Sequence, residues 1–301
     1  MKTKTNYTLQ RIRKSGISYL FVAPYMILFT IFTVLPVVIA MFLSLTSFNV
    51  LQLPKFVGFD NYIRLFLKDS VFIKGLKNTI VLAVILGPGG YIVSLFSAWF
   101  INELTPKVRS IVTLLFYAPS ISGNVYLIWG VLFSGDDYGY INSLLVRLGV
   151  ITEPIQFMQN TDYIMPIIII VSLWTSLGTG FLSMIAAFQG VDKSYYEAGA
   201  IDGIRNRLQE LWFITIPMLK PQMIFSAVMS ITGAFNVGGV VTALCGYPST
   251  DYAAHTVMNH LTDYGSTRFE MGYASAIAVV LFIMMISFNQ FAKKFISSIG
   301  Q

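Results

Sequence analysis

Trp174, Thr175, Ser176 and Thr179 crowd the segment SLWTSLGTG, Ser230, Thr232 and Asn236 crowd SITGAFNVGG, and Tyr117, Asn124 and Trp129 share a third uncharged segment. Hydroxyls, side-chain amides and aromatic faces hydrogen-bond and stack, so residues of these types suit recognition of a neutral, hydroxyl-bearing molecule. Trp174, Thr175 and Asn236 lie in the two densest clusters. The competing reading is structural: hydrogen bonds between packed helices, or aromatic anchoring at a lipid interface. Bond-making chemistry finds less support. His255 and His260 are five apart, a poor spacing for a helical metal pair, and they share one polar segment with Asp251 and Asp263 but no nucleophile motif. They read as solvated loop histidines. No G-x-x-x-x-G-K-[ST] occurs, so no nucleotide site is expected in this chain. Cys245 is the only cysteine, which excludes an internal disulfide and gives no basis for a thiolate metal site.

The composition says what kind of element must position these groups. The 301 residues are 55% hydrophobic and 11% charged, with a mean hydropathy of +0.69, whereas soluble domains carry about 25% charged residues. Asp, Glu, Lys and Arg leave six uncharged runs, at residues 15–54, 78–102, 110–135, 163–191, 221–250 and 271–292. Each is long enough to cross a hydrocarbon core of about 30 Å as a helix. Runs such as YLFVAPYMILFTIFTVLPVVIAMFL are continuously apolar and lack the alternation of barrel strands, so helices must satisfy the backbone in lipid. The expectation is an all-α integral membrane protein with six transmembrane helices. One membrane domain covers residues 15–297, and residues 1–14 form a cytoplasmic N-terminal segment. The first run exceeds a signal-peptide h-region and shows no cleavage site, so it reads as a retained anchor. Uncharged spans argue against proton or ion coupling.

With the N-terminus inside, 13 of the 20 Lys and Arg fall in cytoplasmic segments and 7 outside, five of those in the first outer connection. The bias puts both termini in the cytoplasm. The net charge of +6 is then a basic face beside anionic membrane lipid and needs no nucleic acid.

The first outer connection carries an amphipathic helix from about Phe59 to Phe72, with Tyr62, Leu65 and Phe66 at helical spacing. The second sets Ile141, Leu144, Leu145 and Leu148 on one face of a short helix. The third, CGYPSTDYAAHTVMNHLTDYGSTRFE, is polar and long enough to reach something outside. Pro24, Pro36, LGPGG at residues 86–90, Pro119 and GGV at residues 238–240 interrupt the spans, where kinked packing is the ordinary explanation.

Residues 191–221 are polar where their surroundings are not. Ser194 and Glu197 form an S-x-x-E capping box. Ala198, Ala200 and Ile201 carry a short helix, and Gly203 stands where a left-handed glycine ends one. Asn206 and Gln209 cap a second helix, whose Leu208, Leu211, Trp212 and Thr215 run at spacing three and four towards Pro217 and Pro221. Two helices this short are not a stable projection on their own, so the knob reads as a docking surface. A hairpin lying on the membrane is the alternative.

The same stretch, EAGAIDGIRNRLQELWFITIPMLKP, resembles the EAA loop of the membrane subunits of binding-protein-dependent ABC importers. Glu197, Ala198, Gly203 and Pro217 match that pattern. Gly199 stands where Ala is usual, Ile216 where Leu is usual, and the interval from Gly203 to Pro217 is one residue longer than the common form. FVAPYMILFTIFTVLPVVIAMFLSLTSF, FVGFDNYIRLF and NTIVLAVI resemble the first half of sugar-type permeases, so the likeness covers nearly the whole chain. The form DGIRNRLQELWFITIP is similar to oligosaccharide permeases.

The resemblance implies a type I ABC importer permease fold with a cytoplasmic coupling (EAA) helix, in a bacterial plasma membrane. It implies a second homologous permease, two cytoplasmic ATPases that hold ATP and Mg, an extracytoplasmic solute-binding protein and a carbohydrate substrate, with no hydrolysis by this chain. Glu197, Ala198, Gly199, Gly203 and Pro217 would shape the joint with an ATPase, and Asp202, Arg205 and Arg207 would pair with it at the rim. Tyr117, Asn124, Trp174, Thr175 and Asn236 would line the substrate path. A permease for another neutral or phosphorylated solute, a stand-alone channel and a membrane enzyme are the alternatives. The spans offer no basic pocket for an anion and no paired carboxylates for catalysis.

Overall fold

Uncharged runs must close their backbone hydrogen bonds internally in lipid, and here they do so as helix. The computed structural model describes residues 16–123 and 125–298. In chain order the elements are α1 (Ile17–Leu43), β1 (Thr46–Ser47), β2 (Lys55–Phe56), α2 (Asp60–Ile63), α3 (Ser70–Asn102), α4 (Pro106–Ile121), α5 (Tyr126–Leu132), α6 (Tyr140–Arg147), α7 (Thr161–Thr175) and α8 (Thr179–Gln189). They continue with α9 (Lys193–Ile201), α10 (Arg207–Phe235), α11 (Gly238–Cys245), α12 (Val257–Thr262) and α13 (Met271–Ser298). Among the described residues, four helices, α1, α3, α10 and α13, are long and apolar enough to cross a membrane. Two more runs are broken pairs, α4 with α5 at 86° and α7 with α8 at 41°, giving up to six spans if each pair crosses once.

The breakers act differently from one another. Pro36 cannot donate to residue 32 and crowds its carbonyl, and the helix widens into a π-turn at Thr30–Val34 just before it. LGPGG does not interrupt α3 at all. A Cβ on Gly87 would lie 3.3 Å from Ile231 Cγ1, and one on Gly90 3.1 Å from Ser176 Cβ. These glycines let α3 approach α10 and the end of α7 closely, as small residues do between membrane helices. Three buried apolar clusters run along these contacts, with α10 contributing to each. In α1, by contrast, the apolar window has no buried residue, and only its last part, Leu35–Leu43, packs on α13.

The connections that the charge bias assigns to the outer face depart from their sequence patterns. No single helix covers residues 59–72. After α2 and a π-turn at Arg64–Lys68, Asp69 leaves helical geometry and caps α3, accepting from the Phe72 amide at 2.9 Å. Aspartate favours the cap because its short carboxylate reaches amides the helix leaves open. In α6, Ile141 and Leu145 pack inward while Leu144 and Leu148 remain exposed. Asn142 is buried between them, donating to the carbonyls of Ser134 and Ile155 and accepting from the Ile155 amide. The β1–β2 hairpin is tied to α2 by Asn61, whose amide donates to the carbonyls of Ser44 at 2.8 Å and Thr46 at 2.9 Å.

Candidate functional site

Two broken helices meet around one cavity. α7 ends at Thr175 and α8 begins at Thr179, while α10 ends at Phe235 and α11 begins at Gly238. Between the breaks lies a cavity of about 290 Å³ lined by Thr175, Ser176, Thr179, Ser230 and Asn236, together with Ser120, Tyr126 and Ser172, and none of its lining residues is charged. Ser172 is buried, and its Oγ has no hydrogen-bond partner among the described residues. An unmet buried hydroxyl costs about 1–3 kcal/mol, which any hydrogen-bonding group entering the cavity would offset.

The structure brings Thr175 and Asn236 together in this wall. Trp174 instead packs edge-on against Trp129, ring centroids 5.3 Å apart. Tyr117 is half-buried against the apolar cluster that includes Leu95 and Met184. Neither lines the cavity, and Asn124 lies outside the described residues. Tyr126 supplies the aromatic face and Ser120 and Ser172 two further hydroxyls. All three belong to the residue types that mark the cavity, but the uncharged runs hold many others of the same types.

At the other polar region, α9 starts one residue before Ser194. Asp192 caps it, its carboxylate accepting from the Ser194 amide at 2.9 Å. This replaces the expected Ser194–Glu197 box, because the Asp192 side chain already meets the open amide. The same bond holds the Asp192 carboxyl below the usual carboxylate range. Glu197, exposed, lines a cavity of about 570 Å³ with Lys193, Glu103, Arg109, Arg207 and Glu210. α9 ends in a Schellman turn: Gly203 has φ +93°, Ile204 N donates to Gly199 O at 2.9 Å, and Gly203 N donates to Ala200 O at 3.3 Å. Asn206 accepts from the Gln209 amide at 2.8 Å, and the Gln209 side chain accepts from the Arg205 amide at 2.9 Å. Asn206 and Gln209 thus cap this helix as expected from the sequence, with the Gln209 side chain reaching one residue past the cap amide.

The departures from the EAA pattern have physical reasons. Gly199 is buried, and a Cβ there would come within 2.6 Å of Ile214 Cδ1 and 3.1 Å of Ile204 Cδ1, so the two isoleucines occupy the space of an alanine methyl. The longer interval to Pro217 contains a π-turn at Leu211–Thr215, and a π-turn is a helix with one extra residue in it. The Tyr196 hydroxyl and Thr215 Oγ1, 3.0 Å apart, hold α9 on that turn. Leu211 and Thr215 are buried, whereas Ile201, Leu208, Trp212 and Phe213 are exposed, Ile201 at 87%. Arg207, expected at the rim of a partner, pairs within the chain, with Glu210 at 2.7 Å and Glu103 at 3.2 Å.

The histidines are not solvated. His255 and His260 are 1% and 2% exposed and 3.1 Å apart, with Asp69 at 3.1 Å from His260. Gly75 of α3, having no Cβ, leaves room for the His255 ring.

No protein-family model matches the chain. It is 33% identical over 281 residues to the probable ABC transporter permease protein YesP of Bacillus subtilis (strain 168), covering 91% of this chain and 88% of that one. It is 31% identical to the lactose transport system permease protein LacF of Rhizobium radiobacter, covering 97% and 98% respectively. A crystal structure of a bacterial ABC transporter involved in the import of the acidic polysaccharide alginate contains a chain of the same fold, with TM-score 0.77 and 24% identity over 98% of this chain and 100% of that one. With relatives this similar along nearly its whole length, the chain belongs to the sugar-type permease family of ABC transporters.

Proposed function

We propose that the chain is the membrane-spanning permease subunit of an ATP-driven, binding-protein-dependent importer of a neutral carbohydrate, specifically an oligosaccharide. The cavity at the two helix breaks carries this reading, because the polar part of its wall is hydroxyls, one amide and one aromatic ring set among aliphatic side chains such as Leu86, Met229 and Val240, without a charged side chain among the described residues. Such a wall hydrogen-bonds a sugar and offers no cation to an anion. Relatives named for lactose and for arabinooligosaccharides support the class. A relative named for sn-glycerol-3-phosphate, 26% identical, keeps the phosphorylated-solute reading as the runner-up.

The knob of α9 and the π-turn serves as the coupling element. Its exposed Ile201, Leu208, Trp212 and Phe213 enter a cleft of a cytoplasmic ATPase, with Asp202 and Arg205 at the rim. ATP and Mg are held and hydrolysed there. The exposed face of α1 receives the second, homologous permease. The outer connections meet an extracytoplasmic solute-binding protein, consistent with a fold relative whose crystal structure is of a complex with a periplasmic protein. Both termini then lie in the cytoplasm.

Uptake of labelled neutral and phosphorylated sugars in cells lacking this gene tests the proposal. Restoration of neutral oligosaccharide uptake by the wild-type gene, and its loss when the ATPase is disabled, is expected. Uptake that persists without the gene or without ATP hydrolysis sinks the importer reading. Ion conduction by the purified chain alone in a planar bilayer would favour the channel.

A further inference from the structure

The buried titratable groups that neither the cavity nor the knob uses gather at the N-terminal end of α3, opposite the knob. Nε2 of His255 faces Nδ1 of His260, and Nε2 of His260 faces Oδ2 of Asp69, each at 3.1 Å. The Tyr273 hydroxyl donates to the same Oδ2 at 2.8 Å. A carboxylate only accepts, so His260 donates through Nε2–H, its Nδ1 accepts, and His255 donates through Nε2–H. The chain is complete with both rings neutral in one tautomer.

A proton has no good place in it. On His260 Nδ1 it would oppose the Nε2–H of His255 at 3.1 Å until His255 moved that hydrogen to its own Nδ1, and it would leave a cation in a site that is 2% exposed. On the other nitrogen of His255 it would put a cation in a site that is 1% exposed. Every neighbouring element contributes to the balance. Asp69 and, from the turn after α12, Asp263 favour a charged ring, while Arg268 opposes it. Arg64 is taken up by Glu270 and by the Tyr273 ring, 4.1 Å beneath it. Lys74 of α3 is bonded to the Asp251 carbonyl, and the rings of Tyr247 and Tyr252 close over His255. Burial pushes His255 down to about 4, aided by His260. Burial lowers His260 as well, against the pull of Asp69. Burial alone would raise Asp69, but the Phe72 amide, the Tyr273 hydroxyl and His260 hold it below the usual carboxylate range.

The pair also sits at a joint. Asn78 of α3 donates to the carbonyls of Ala253 at 3.0 Å and His255 at 2.9 Å, and Thr79 Oγ1 accepts from the Val257 amide at 2.9 Å. Displacing the rings therefore loosens the whole third outer connection from α3.

We propose that His255 and His260 form an acid-sensitive latch: on taking up a proton the pair separates and residues 247–262 leave α3. The inference stands independently of the substrate assigned above. In the open form each histidine returns to a pKa of about 6.5. The closed form binds protons less readily, so closing is fully favoured above about pH 6.5 and loses ground as the pH falls below it.

Amide exchange on the full chain in lipid nanodiscs, corrected for the intrinsic rate, tests this at about pH 7.5 and about pH 5.5. Exchange across residues 253–262 should rise about tenfold per pH unit below 6.5 for one proton taken up, while that of α8 stays constant. His260→Gln keeps a donor for Asp69 but leaves His255 to titrate, so it should weaken the response, and the double variant His255→Gln/His260→Gln should flatten it. A flat response in the wild type overturns the proposal. Should either variant fail to fold, nitrogen spectra of the chain's only two histidines decide. Two neutral Nε2–H rings near pH 7.5 that charge as exchange rises support the latch. A ring already charged there, or charging without a rise in exchange, overturns it.

Discussion

Gly199 and Gly203, four residues apart, do different work, and only one of the two reasons was readable in advance. Gly203 is required for its backbone: at φ +93°, a Cβ would meet nothing within 4 Å. Gly199 is required for its volume, since a Cβ would press on Ile214 Cδ1 at 2.6 Å. Gly199→Ala should therefore destabilise the knob by about 1–3 kcal/mol as an overpacked site, and Ile214→Val, which removes the Cδ1 methyl, should restore most of it in the double variant. Thermal unfolding of the four proteins of this cycle measures the coupling. An additive cycle would mean that the methyl finds room elsewhere. The position of Gly203 just past a helix was legible from its place after an alanine-rich turn, because left-handed geometry has a residue preference. The space at Gly199 was not, because Ile214 reaches it only through the following helix.

At the scale of elements, the knob owes its shape to the sharp Schellman turn and to the π-turn that feeds α10. Gly203→Val places a β-branched residue in the left-handed region at about 1–2 kcal/mol or more, without a clash. The chain should still insert in the membrane, because α10 itself is untouched, while sugar uptake falls to background. Surface labelling for insertion and an uptake assay separate the two effects, and normal uptake would show that the turn does not transmit force. The helical character of residues 206–221 followed from the Asn206–Gln209 cap and the apolar spacing. The cap of α9 did not, because Asp192 and Ser194 are both good caps two residues apart, and the helix starts from the first of them.

For the whole molecule, α1 is the informative element. Its 27 residues rise about 40 Å at 1.5 Å each, enough to cross the membrane, yet its apolar window buries nothing in this chain. A face so large is covered by lipid or by protein, and a photo-crosslinking residue replacing Phe32 distinguishes them. The importer reading expects a crosslink to a second permease carrying an EAA loop. Crosslinking to lipid alone would remove α1 from that interface.

The sequence by itself determined the fold class, the polar knob and the neutrality of the spans, because uncharged runs in lipid have one way to satisfy their backbones and a charge inside them has a high cost. Tertiary structure decided which of many equivalent hydroxyls share a wall. Thr175 and Asn236 line one cavity because α7 and α10 both end beside it, whereas Trp174 turns to Trp129. It also decided that two histidines in a polar loop are buried, since their partner Asp69 lies 191 residues before His260 and reaches it only when α3, α12 and α13 have packed. Local pattern governs what each segment can be; contacts between distant segments govern what each side chain faces.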